Sequence, residues 1–122
     1  PEPPENPEEL LEDRDPEVRS RAVGWIQPDD EGAVRLQKIL AEDPDAGVRA
    51  AAAYRLVGAD SIGAARSLIA ALDDSDPEVV LAAIDTLEYS HDPSLIPDLE
   101  PLLGHPDPEV RDAAAEAIDF LR

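Results

Sequence analysis

Residues 107–122 read DPEVRDAAAEAIDFLR, and residues 15–23 open with the same phrase, DPEVRSRAV. Two altered copies lie between them, DPDAGVRAAAAYRL at 43–56 and DPEVVLAAIDTL at 76–87. Aligned on Val18, Val48, Val79 and Val110, the copies recur at intervals of 30, 31 and 31 residues. A fixed period in this range marks stacked supersecondary units that bury their apolar faces against one another. After each valine comes a basic residue (Arg19, Arg49, Arg111, with Val80 the exception), then a small one four positions on (Ala22, Ala52, Ala83, Ala114). An aliphatic residue closes the pattern eight positions on (Ile26, Leu56, Leu87, Ile118). Positions 0, 4 and 8 share one helical face.

The helix starts are also written out. Asp15, Asp76 and Asp107 each precede Pro and Glu. Asp is a favoured N-cap, Pro is preset for the first helical position, and Glu in the first turn complements the positive end of the helix dipole. The second copy is irregular, with Pro44 early and Asp45 as the expected cap. Ahead of each such helix lies a second amphipathic segment. Leu11, Leu72 and Leu103 stand seven residues before the next valine and Leu40 eight before; Leu36/Leu40, Leu68/Leu72 and Leu99/Leu103 form i, i+4 pairs. Loops at 27–30, 58–60 and 90–93 join the two helices of each unit. Pro101 cannot donate to the carbonyl of residue 97 and its ring crowds that carbonyl, so the helix between Pro97 and Leu103 is expected to be short or bent.

The reading is an all-α protein of seven or eight helices and no strand, a right-handed α-solenoid of about 3.5–4 helix-turn-helix repeats. Residues 1–6 (PEPPEN) form a Pro/Glu-rich linker or tail and residues 7–122 a single repeat domain. The phrase DPEVRxxAxxAI with IPxLxxLL resembles the HEAT-like repeat, in the short form found in phycobilisome-lyase subunits, over roughly residues 7–122. The resemblance implies that the first helices form an outer layer and the second helices an inner, concave one. It also implies a polar ladder between repeats, matched by Asp15/Arg19, Asp45/Arg49 and Asp107/Arg111 and broken at Val80. The last helix has no successor to cover Ile118 and Leu121, so further chain or a partner is expected to contact it.

Composition narrows the function. The net charge is −19, from 29 acids against 10 bases, and a field of that sign repels phosphate backbones and anionic lipid heads. Nucleic acid is therefore not an expected partner. Cysteine is absent, which removes disulfides and thiolate chemistry. No run of 18 apolar residues occurs, so membrane insertion of this chain is not expected. A soluble, cytoplasmic protein is favoured over an exported one. The first residue is Pro rather than Met, the mark of a processed product or an excised segment. Lys38 is the single lysine, as in salt-adapted or GC-rich coding backgrounds.

No catalytic, cofactor-binding or metal-ligating residue is assigned. His91 and His105 fall in predicted turns without convergent ligands. The His-Glu pairs by which the HEAT-like deoxyhypusine hydroxylases bind iron are missing, since His91 precedes Asp92 and His105 precedes Pro106. The acidic stretch 73–78 has Val79 where a calcium loop needs Gly, and Ser61 lacks the glycines of a nucleophile elbow. Candidates for protein binding are Trp25, Arg35, Lys38, Arg66, Asp98 and Glu100. Trp25 occupies the column of Arg55, Thr86 and Ala117, read as the edge of the packed face, where a Trp serves as a binding anchor or as cover for the N-terminal end. The others lie along the second helices, where the outward stripe runs from Arg35 and Lys38 through Ser67, Ala70 and nearby Arg66 to Asp98 and Pro101. The leading function is a non-enzymatic protein-interaction or scaffold module whose partner is another protein. The alternatives are an accessory subunit of a chromophore-attachment system of the phycobilin-lyase kind, or a structural segment of a larger helical-repeat protein.

Overall fold

The computed structural model describes residues 7–59 and 61–122; the 1–6 stretch and Asp60 lie outside them. The helices are α1 (Pro7–Leu10), α2 (Pro16–Val23), α3 (Asp30–Glu42), α4 (Ala46–Arg55), α5 (Ile62–Ala71), α6 (Pro77–Glu88), α7 (Ile96–Leu99) and α8 (Pro108–Leu121). Short 3-10 segments, Pro93–Leu95 and Glu100–Gly104, flank α7. Among the described residues there is no strand.

Each long helix begins where its cap chemistry directs. The Asp15, Asp76 and Asp107 carboxylates accept the backbone N–H groups of Glu17, Glu78 and Glu109 at 2.9, 2.9 and 2.8 Å. Asp45 does the same for Val48 at 3.0 Å, so it caps α4 despite the irregular copy. Asp29 accepts from Gly32 and Ser61 from Ala64, which starts α3 and α5. Gly32 is required by space. A β-carbon there would stand 1.6 Å from the Gln27 carbonyl oxygen, so only glycine lets α3 leave its loop at this angle.

The helices stack in two layers. Helices α2, α4, α6 and α8 pack in succession, each against the next. On the other side α3 packs on α4 and α5, α5 on α6, and the α7 region on α8. Fully buried Ala52, Ala53, Ala82 and Ala83 allow the first layer to close up, and one continuous core runs from Val23 to Leu121. Leu36, Leu56, Ile84 and Leu99 are almost wholly buried. Each contributes roughly 1.5–3 kcal/mol of apolar burial.

Two expectations about the C-terminal third change. Pro97 sits in the first turn of α7, and the α-helix stops at Leu99 before Pro101, as the missing donor requires. The stretch continues as 3-10 helix, in which residues three apart eclipse. Leu99 and Leu102 therefore share the core face, and Leu103, expected to pair with Leu99, is 46 % exposed. Ile118 and Leu121, expected to be uncovered, are buried against the preceding helices. The flank of α8 in register with buried Ala50 and Ala53 of α4 carries exposed Asp112 and Ala115 instead.

Candidate functional site

The ladder between repeats is built differently from the expected one. The cap aspartates are occupied by their own helix N-termini. The partner of Arg19 is Asp43, reached by Nε and Nη2 at 3.1 and 3.2 Å, and the partner of Arg49 is Asp74, at 3.0 and 3.1 Å. These acids stand two residues ahead of the next cap, and each also accepts that cap's backbone N–H at 2.9 Å. Each guanidinium gives its remaining nitrogen to its own turn: Arg19 to the Asp13 carbonyl and Arg49 to the Asp43 carbonyl. The side chains of the Arg19–Asp43 pair are only 12 % and 9 % exposed, so solvent screening is reduced and the fork is directional. The bond to Asp43 holds the Arg19 guanidinium above its ordinary pKa, and Asp74 does so for Arg49.

At the third step both members change. Val80 is fully buried in place of the arginine, and His105 stands where the acid would be. The His105 imidazole preserves one of the acid's bonds, its Nδ1 accepting the Asp107 N–H at 3.0 Å. His105 is thus part of a turn, as expected, and half-buried. Arg111 bonds the His105 and Pro106 carbonyls.

The column of Trp25 faces the preceding repeat and is not an edge. Thr86 is buried and donates to the Ala53 carbonyl or that of Ala82 (3.1 and 2.8 Å), Ala117 is fully buried, and the Arg55 Nε donates to the Ile26 carbonyl at 2.8 Å. Trp25, first in the column, is half-buried and lines a depression of about 200 Å³ with Gln27, Asp29, Glu31 and Arg35. Arg35 and Lys38 come together in a second depression of about 270 Å³ beside Leu11 and Ile39, which Glu12, Glu42 and Asp43 also line. Between α3 and α5 a groove of about 250 Å³ is floored by Leu40, Ala70 and Ala71. Arg66 is exposed on α5; Asp98 and Glu100 are exposed at the far end of this layer. The structure thus joins Trp25, Arg35 and Lys38 into one neighbourhood and leaves Asp98 and Glu100 in another.

A further site stands on the opposite layer, outside the sequence candidates. Tyr54 on α4, Asp85, Glu88 and Tyr89 at the end of α6, His91 in the next loop and Phe120 on α8 line a pocket of about 410 Å³. The Tyr54 hydroxyl donates to Asp85 Oδ2 at 3.1 Å. Burial, then the neighbouring Asp85 charge, raises the Tyr54 pKa. Burial also pushes the Glu88 carboxyl up, helped by Asp85 and Glu116. His91 holds a left-handed backbone (φ 53°), uncommon outside glycine, and its ring lies 5.1 Å from that of Phe120, inclined by 46°. A column reading of the repeat carries the signal for this site: Tyr54 and Asp85 each stand six residues after their valine, Tyr89 and Phe120 ten after theirs.

No helix among the described residues is long and apolar enough to cross a membrane. No curated protein matches the chain. Residues 65–122, the stretch from within α5 to the end of α8, match the family model of HEAT repeats.

Proposed function

We propose that this chain is a non-enzymatic protein-interaction module, residues 7–122 forming one right-handed solenoid domain of about 3.5–4 repeats. HEAT repeats commonly mediate protein–protein contacts, and the match over 65–122 supports that reading. The observation that carries it lies on the α3/α5 layer. Exposed Arg35 and Lys38 stand at one end of it, exposed Arg66 on α5 in the middle, and exposed Asp98 and Glu100 at the other end, on a molecule of net charge −19. A surface graded in this way orients a partner segment that is acidic at one end and basic at the other, and it acts mainly on association rate and register. The groove between α3 and α5, lined by Leu40, Ala41, Ala70 and Ala71 together with Gln37, Ser67 and Asp74, lies along the middle of the path.

The experiment is affinity capture with the whole chain as bait, followed by titration of the captured protein against Arg35→Glu/Lys38→Glu. The expected result is weaker binding whose dependence on salt is reduced. Unchanged affinity and salt dependence would remove this face and turn attention to Trp25. Absorbance changes on adding a bilin would favour the chromophore-attachment reading instead. Binding seen only with neighbouring repeats attached would favour a structural segment.

A further inference from the structure

We propose that the pocket between Tyr54, Asp85, Glu88, Tyr89, His91 and Phe120 receives an arginine side chain from a partner protein. The site lies on the layer opposite α3 and α5, so it stands or falls separately from the graded surface.

Three of the chain's four aromatic residues, Tyr54, Tyr89 and Phe120, meet here, 48 %, 71 % and 55 % exposed. Large rings left in water beside a cavity of about 410 Å³ offer faces to a ligand. The electrostatics select its charge. Asp85, Glu88 and nearby Glu116 repel one another, and among the described residues none is paired with a base. The ends of α4, α6 and α8 converge on the pocket; α6 has no basic residue in its last turn to answer the negative end of its dipole, while α8 is followed by Arg122, which pairs with Asp119. Arg55, in the last turn of α4, is turned away to the Ile26 carbonyl. The residues lining the pocket thus include two acids and no lysine or arginine, with rings placed to cover a cation.

The choice among cations follows from hydrogen bonding. A quaternary ammonium would meet the rings but has no N–H for Asp85 and Glu88. A lysine ammonium is a compact, strongly hydrated point charge. A guanidinium is planar, stacks on aromatic faces and offers a fork of donors to carboxylates. His91 takes the left-handed backbone two residues past the α6 C-cap, as Gly58 does after α4, and this turn sets its ring 5.1 Å from that of Phe120.

Two-dimensional NMR of the whole chain tests the proposal, with acetyl-Gly-Arg-Gly-amide as the probe, at about 0.15 M salt to suppress diffuse attraction. The lysine peptide of the same length and tetramethylammonium are the comparisons. Saturable shifts confined to Tyr54, Asp85, Tyr89, His91 and Phe120, strongest with the arginine peptide, are expected. Tyr89→Ala/Phe120→Ala should weaken binding about tenfold, and Glu88→Gln by a smaller factor. Both ring positions are exposed, so the fold should survive, and an unchanged circular-dichroism spectrum checks that. Shifts spread evenly over the acidic surface, equal response to all three probes, or no effect of removing the rings would each overturn the assignment.

Discussion

The turns leading into α4 and α6 are each closed by an arginine from the previous repeat, whereas the turn leading into α8 is closed without one. In the first two, Asp43 and Asp74 accept three hydrogen bonds apiece, two from the guanidinium and one from the cap residue. In the third, a buried Val80 replaces the donor and His105 replaces the acceptor. The paired change teaches that the arginine and the acid form one unit. An acid facing Val80 would have lost its counter-charge, and an arginine facing His105 would be buried without an anion, a costly state. Imidazole suits the vacancy, since its Nδ1 keeps an acceptor for the Asp107 N–H.

The sharpest way to break this comparison is Val80→Arg. Facing His105 rather than an aspartate, the new guanidinium should cost about 3–5 kcal/mol. Adding His105→Asp should restore a coupling of about 1–3 kcal/mol, measured as a double-mutant cycle by chemical denaturation. A double variant no more stable than the sum of its parts would show that the two positions are unrelated. Next in size is Asp74→Ala, which strips the Arg49 fork and the Asp76 N–H together and should cost about 2 kcal/mol. Asp76→Ala, which removes only a cap, should cost nearer 1 kcal/mol. Equal losses would mean that the fork contributes nothing beyond the turn.

The local chemistry of these turns was legible in the sequence, and its long-range use was not. The period, the caps at Asp15, Asp45, Asp76 and Asp107, and the break at Pro101 follow from contacts within a few residues. The arginine partners do not, since Arg19 and Asp43 meet only after a whole repeat has folded back. The repeated Asp-x-Asp of 13–15, 43–45 and 74–76 was the available sign. Leu103 was misplaced because an α-helical spacing was carried across a 3-10 turn. The aromatic pocket draws residues from three repeats; its columns, six and ten residues after each valine, were in the sequence, but that they meet in one pocket depends on α4, α6 and α8 lying side by side. Trp25, Arg35 and Lys38 proved neighbours, as a stripe reading of α3 allows, while Asp98 and Glu100 were placed by the register of a segment that is mostly not α-helix.

The smallest effect sharpens the electrostatic side of the contrast. Glu88 has a raised folded pKa, from burial first and then from Asp85 and Glu116. A raised acid binds its proton more tightly in the folded state, so its contribution favours folding at low pH and is lost as pH rises through the folded pKa. Glu88→Gln should therefore stabilise the protein by a few tenths of a kcal/mol at neutral pH. It should also flatten the fall in stability just above the ordinary carboxylate range. A denaturation series across pH in which both proteins keep the same slope would show that Glu88 is not under that strain.

The stapled turns also have a mechanical meaning. A two-pronged ionic grip fixes the angle between neighbours as well as their distance, whereas apolar surfaces resist separation but let their parts slide. The stack is thus expected to have two stiffer joints, α2 to α4 and α4 to α6, each with an ionic fork, and a third between α6 and α8 held by apolar packing alone around Val80. Load applied along the stack is expected to concentrate its deformation at that last joint. Asp85 and Tyr89 ride on one side of it and Phe120 on the other, so flexing there changes the width of the mouth between them.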